Sequence, residues 1–221
     1  MESAEDVGAG WSTYEQSFRE DAHQLLAWGY QDARLLIAPD REETEITGFI
    51  AEAIQARLNS PGIDERFDRY SLKDDNPVPG EGRTGKRRMR IDIIIKSSSR
   101  PRQKSRPWYI FEAKRLCRPS HPLSKYVGKE GIIRFVQGRY ASDCPEVAML
   151  AYVQTDTIAY WVAELKARFG NDSAKQFSIT RNLFQTTVHP DLPDEWSSSH
   201  TRTNGTPLTV FHLFLDCSMQ K

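Results

Sequence analysis

Seven consecutive apolar residues, Val147-Ala-Met-Leu-Ala-Tyr-Val153, constrain the fold of this chain more than any other segment. A strand with one face in water alternates apolar and polar side chains, because successive Cβ atoms point to opposite faces. A run without alternation has both faces covered, so this segment reads as the centre of a sheet with helices on each side. An amphipathic helix follows it from Thr157 to Phe169, with Ile158, Trp161, Val162, Leu165 and Phe169 on one face and Gly170 at its end.

The remaining periodicity fills in the layers. Ser12 to Leu36 carries Phe18, Leu25, Leu26, Trp28 and Tyr30 at helical spacing, with a break expected near Gly29. Glu42 to Leu58 presents Ile46, Phe49, Ile50, Ala53 and Ile54 on one face, with Asp40 as N-cap, acids in the first turn and Ser60-Pro61-Gly62 as the stop. Arg66 to Leu72 reads as a first strand, Asp74 to Gly85 as a turn-rich connection, and Arg87 to Lys96 with Pro107 to Lys114 as a hairpin. Lys125 to Ala141 reads as a helix weakened by Gly128, Gly131 and Gly138. The tail offers strands at Phe177 to Ile179, Leu183 to Val188 and Leu208 to Leu215, joined by a polar loop containing Asn204-Gly205. The expected fold is α/β, a mixed central sheet flanked by helices in one domain of 221 residues. Its core runs over 42–169, with an N-terminal helical extension over 1–41 and a strand-rich C-terminal extension over 170–221.

The two hairpin strands carry charge where strands tolerate it poorly. Asp92 lies in Arg90-Ile-Asp-Ile-Ile-Ile95, and burying a lone carboxylate is strongly unfavourable unless a cation or hydrogen bonds compensate. In Trp108-Tyr-Ile-Phe-Glu-Ala-Lys114, Glu112 and Lys114 project to one side while Phe111 and Ala113 project to the other. If the strands are neighbours, three charges converge. The zero net charge conceals an uneven distribution, since 13 of the 30 Lys and Arg residues fall between Arg83 and Arg118, where Asp92 and Glu112 are the only acids. A basic stretch of this kind suits a polyanion, held through phosphate contacts and counterion release. Ser97 to Arg106 by itself reads as a solvated loop.

A helix bearing Glu42, Glu43 and Glu45, then Asp92 on a hairpin strand, then Glu112-Ala113-Lys114, then a helix with Gln137 and Tyr140, together resemble the PD-(D/E)XK phosphodiesterase superfamily, the restriction-endonuclease-like nucleases. Ile91 stands where the motif's name has proline. The resemblance implies a restriction-endonuclease-like core and a metal-dependent nuclease acting on DNA, an endonuclease by preference, serving phage defence or DNA processing. RNA stays open as a substrate. The chemistry fits these residue types: hydrolysing a phosphodiester requires a dianionic transition state to be neutralised and hydroxide to be delivered in line. Mg2+ (or Mn2+) serves both needs, and Asp92, Glu112 and the Ala113 carbonyl supply the hard oxygen ligands such an ion takes. Lys114 would point an ammonium at the attacking water and the phosphate, with the roles of base, orienter and charge stabiliser all open. An ideal helix through Ile46, Phe49, Ile50 and Ala53 turns Glu43 toward the core, which makes it the preferred helix acid, with Glu45 and Glu42 as alternatives. Gln137 and Tyr140 resemble an element of exonuclease-type members that lines the DNA groove. Arg88, Arg90 and Arg139 are candidate phosphate contacts.

Other signatures fail on context. Gly80-Glu-Gly-Arg-Thr-Gly85 spells a nucleotide loop, but no strand precedes it and no helix follows, so it reads as a hairpin turn. Cys117 and His121 lack a second pair at zinc-ligand spacing, and the remaining histidines are scattered. Three widely spaced cysteines, an acidic beginning without an apolar core and the lack of any membrane-length apolar run lead to the expectation of a cytoplasmic protein. A homodimer or a partner subunit would suit double-strand cutting. The rival class is a non-catalytic nucleic-acid-binding or assembly subunit that keeps the nuclease-like fold; its DNA affinity would depend on salt but not on metal.

Overall fold

The run Val147–Val153 lies in β4 (Glu146–Val153), whose eight residues are all buried. It is the middle strand of a seven-stranded mixed sheet in the computed structural model, which describes residues 13–77, 90–98, 107–139, 141–173 and 175–218. On one side β4 pairs in parallel with β3 (Trp108–Leu116), which pairs antiparallel with β2 (Arg90–Ser97), itself antiparallel to the edge strand β1 (Tyr70–Pro77). On the other side β4 pairs in parallel with β7 (Pro207–Asp216), followed by antiparallel β6 (Glu195–Thr201) and β5 (Ile179–Gln185). Alternation along β3 and β4 divides the core in two. Phe111, Ala113, Ala148, Leu150 and Tyr152 meet α1 (Thr13–Ala33) and α2 (Glu43–Leu58). Ile110, Val147, Met149, Ala151 and Val153 meet α3 (Leu123–Val127), α4 (Ile132–Val136) and α5 (Ile158–Gly170). Among the described residues no helix is long and apolar enough to cross a membrane.

Four local expectations change, each for a physical reason. Helix α1 runs unbroken through Gly29, because the glycine serves close packing: a Cβ there would stand 2.5 Å from Ile54 Cγ1 and 2.9 Å from the Ile50 carbonyl oxygen on α2. The N-cap of α2 is Glu42 rather than Asp40, with the Glu42 amide donating to Glu45 Oε2 at 2.9 Å. Over Lys125 to Ala141 the chain forms two short helices instead of one. The corner between them brings Gly131 so near Tyr126 that a Cβ would lie 1.8 Å from its carbonyl oxygen.

The fourth change is β6, whose sequence Glu-Trp-Ser-Ser-Ser-His-Thr lacks the pattern of a buried strand, yet whose Glu195, Ser197, Ser198 and His200 are buried. The side chains of Glu195, Ser198 and His200 find partners inside the protein, as burial demands. Glu195 Oε2 accepts the Val188 amide at 2.6 Å and the His189 amide at 3.0 Å, while its other oxygen meets His23 Nδ1 at 2.5 Å. On the opposite face the donors form a directed chain. His200 Nδ1 faces the Phe177 carbonyl at 2.8 Å and therefore carries its proton, leaving Nε2 to accept from the Ser198 hydroxyl at 2.7 Å. Ser198 then has only a lone pair for His212 Nε2 at 2.8 Å, so His212 donates there and accepts from the Tyr126 hydroxyl at Nδ1, 2.9 Å away. The segment over 170–221, read from sequence as an extension, thus completes the sheet, with β7 interior to it.

Candidate functional site

The charged groups singled out in the two hairpin strands meet where β2 and β3 part. Their ladder pairs Lys96 with Trp108 through to Ile93 with Phe111. Beyond it, the Ala113 amide donates to Asp92 Oδ2 at 2.7 Å, a side chain taking a main-chain donor. The first turn of α2 closes the site from the neighbouring face. Its approach is fixed by the Arg41 carbonyl, which accepts from Gln154 Nε2 at 2.7 Å and from Arg115 Nη1 at 3.1 Å, and by Thr47, whose hydroxyl meets Tyr152 Oη at 3.0 Å. This docking places a helix N-terminus beside the carboxyl ends of two parallel strands, a crevice where open α/β sheets bind ligands.

Lys114 is the hub. Its ammonium donates to Glu43 Oε1 at 3.0 Å and to the Ala113 carbonyl, and lies 3.3 Å from Glu112 Oε1. Glu43 Oε2 accepts the Arg115 amide at 3.1 Å. Glu112 is buried and is approached at the same Oε1 by Arg134 Nη1 of α4, at 3.4 Å. Burial pushes the Asp92 carboxyl up to about 6, opposed by the Lys114 charge and the Ala113 amide. Burial alone would lower Lys114, but the carboxylates of Glu112, Glu43 and Asp92 outweigh it and hold the amine above the ordinary lysine range. Three carboxylates therefore surround two cations, leaving one negative charge when all are ionised.

The other candidate residues lie around this cluster. Glu45 bonds Arg41 at 3.0 Å and the Glu42 amide, and Glu42 pairs with Arg115 at 2.7 Å, so both serve the exposed start of α2. Gln137 is the exposed C-cap of α4, three residues on from Arg134 and hence on the same side of the helix. Arg139 is exposed, with its amide bonded to the Arg134 carbonyl. Arg90 pairs with Asp75 on the neighbouring edge strand. Arg88, Tyr140 and the Gly80–Gly85 turn lie outside the described residues.

Arg134 is the member that inspection of motifs passes over. A usable signal was present: in Ile132-Ile-Arg-Phe-Val136 it is the one charge among four buried apolar residues, as Asp92 is among Ile91, Ile93, Ile94 and Ile95.

The donor set suits a hard divalent cation. Among the described residues no three acidic, histidine or cysteine side chains form a ready cage, so an ion held by Asp92 and Glu112 would also need the Ala113 carbonyl. The Lys114 ammonium already occupies the Ala113 carbonyl and Glu112, acting as a stand-in cation. Two concavities, of about 400 and 890 Å3, lie beside Arg34 and Asp216 and beside Asn171 and Asp172; no residue of the charged cluster lines either. Comparison of the chain with protein-family models, with curated proteins and with solved structures finds no match.

Proposed function

We propose that the protein is a divalent-metal-dependent nuclease with a restriction-endonuclease-like core, hydrolysing phosphodiester bonds of DNA. The observation that carries the reading is the meeting of Asp92, Glu112, Lys114 and Glu43 where β2 and β3 part, with a cation already seated on their oxygens. Asp92, Glu112 and the Ala113 carbonyl would hold Mg2+ or Mn2+, which when bound neutralises phosphate charge and lowers the pKa of a water. The charge balance supports this. A divalent ion turns the cluster's single negative charge into a single positive one, complementary to one phosphodiester.

The chain's own groups have separable tasks in this scheme. Asp92 is anchored by the Ala113 amide, which fixes its position relative to β3. Lys114, held by Glu43, serves in this scheme as a donor to phosphate oxygen and to the attacking water. Glu43 orients Lys114, and its second oxygen on the Arg115 amide keeps that orientation tied to the strand.

The test is cleavage of plasmid DNA, linear DNA and RNA by the purified protein with and without Mg2+ or Mn2+. Metal-dependent scission of DNA is expected, reduced at least about 100-fold by Asp92→Asn and by Lys114→Met. Salt-sensitive DNA binding that ignores metal and survives Glu112→Ala, with no scission by the wild type, would replace this reading with the non-catalytic binding subunit.

A further inference from the structure

We infer that Arg134 is a functional member of this site with two alternating partners: it neutralises Glu112 in the metal-free protein and binds a non-bridging oxygen of the scissile phosphate when Glu112 serves a metal. The inference rests on the nuclease reading and names a residue that reading does not require.

Placement comes first. Arg134 projects from a five-residue helix whose other four residues are buried, and its own side chain is 15% exposed. One edge of the guanidinium faces the buried Glu112; the other reaches Glu130 at 3.5 Å, a side chain 82% exposed. The group thus spans from the interior of the site to the solvent from which a polyanion would approach. Both ends of α4 are fixed. Its start is set by the close approach of Gly131 to Tyr126. At its end, buried Arg202 donates to the Phe135 carbonyl at 3.2 Å and to the Ala141 carbonyl at 3.0 Å, and the Thr203 amide donates to the Val136 carbonyl at 3.0 Å.

Competition for one atom comes second. Lys114 and Arg134 approach the same Glu112 Oε1 at 3.3 and 3.4 Å. A divalent ion at Glu112 faces repulsion from both, and the two are not equally replaceable. Lys114 keeps Glu43 at 3.0 Å on α2, whereas Arg134 turns its other edge toward the solvent-exposed Glu130 at 3.5 Å, on the side from which a phosphate would approach. A planar guanidinium with several donors on a rigid support matches a phosphate oxygen pair.

The experiment measures Mn2+ binding to the full chain without nucleic acid, by the loss of the free-ion EPR signal, beside single-turnover DNA cleavage. Arg134→Ala should bind Mn2+ about ten-fold tighter, because a competing cation has gone, while its cleavage rate falls about 100-fold. Arg134→Lys, retaining charge but not the fork, should bind Mn2+ as the wild type does and recover part of the rate. Arg134→Gln, of similar reach, replaces the alanine variant if near-ultraviolet circular dichroism shows the latter misfolded. Mn2+ affinity equal to or weaker than wild type, or a cleavage rate within about three-fold of wild type, overturns the inference. A wild type that neither binds Mn2+ nor cuts DNA overturns the nuclease reading itself, an outcome distinct from an active wild type with a silent Arg134→Ala.

Discussion

Replacing Gly131 with alanine tests how the site is held together. A Cβ at this position would stand 1.8 Å from the Tyr126 carbonyl oxygen and 2.7 Å from its carbon. Carbon and oxygen come into contact at about 3.3 Å, so alanine demands about 1.5 Å of separation between two main-chain segments. Tyr126 has no room to yield, being fully buried with its hydroxyl bonded to His212. Helix α4 is restrained at its other end by Arg202 and Thr203. The substitution should therefore destabilise by about 3 kcal/mol, at the upper end of the overpacking range. A shift of this size at the start of α4 also breaks the 3.4 Å contact between Arg134 and Glu112, and displacement of about 1 Å at a reacting centre lowers rates about 100-fold. Urea unfolding followed by tryptophan fluorescence reads the first effect, and metal-dependent DNA cleavage reads the second. Gly48→Ala is the control, since Gly48 lies inside α2 with nothing within 4 Å of its would-be Cβ. That variant should gain about 0.5–1 kcal/mol from reduced backbone entropy and leave cleavage unchanged. A Gly131→Ala protein within about 0.5 kcal/mol of wild type would refute the packing account.

Three further outcomes are expected. Glu43→Gln should lower cleavage sharply, whereas Glu45→Ala should remove only a helix cap, lose about 1 kcal/mol and leave cleavage as in the wild type; equal losses would show the helix acid wrongly assigned. Asp92 has its carboxyl raised from 3.8 to about 6 in the fold, so the unfolded chain ionises first and stability falls as pH rises through that interval. Asp92→Asn, inactive, should accordingly exceed the metal-free wild type by about 2 kcal/mol at pH 7.5, with the gap closing near pH 4, and urea midpoints across that range decide it. Burial lowers His200 to about 4 and His212 well below its usual value, so both stay neutral in the fold while the unfolded imidazoles take up protons below about pH 6.5. Their contribution is complete above that pH and lost as pH falls toward 4. Nitrogen NMR near pH 6 should find the proton on Nδ1 of His200 and on Nε2 of His212, and the reverse assignment would break the directed chain through Ser198.

Strand parity and helical phase carried much of this from the sequence. The two-residue repeat put Glu112 and Lys114 on one side, and the phase set by Ile46 and Ile50 turned Glu43 inward; the structure brings Lys114 within reach of both acids. Arg134 escaped because its approach depends on the corner at Gly131, and a steric limit between residues 126 and 131 leaves no periodic trace. Strand β6 escaped for a different reason. Its Glu195, Ser198 and His200 are buried with partners supplied by His23, His212 and the Phe177 carbonyl, which no local pattern reveals. Gly29 misled because a glycine that admits a neighbouring helix and one that ends a helix look alike in one dimension.

The position of β7 bears on how the protein reaches this state. Its neighbours in the sheet are β4 and β6, so the centre of the sheet joins segments that are distant along the chain. Until Pro207–Asp216 is in place, β4 presents an unpaired edge that is apolar from Val147 to Val153, although the hairpin that bears Asp92 and Glu112 is local and can form early. Folding should thus bring Asp92 and Glu112 onto neighbouring strands before β7 covers the edge of β4, and the interval between the two is when the chain is most exposed to aggregation.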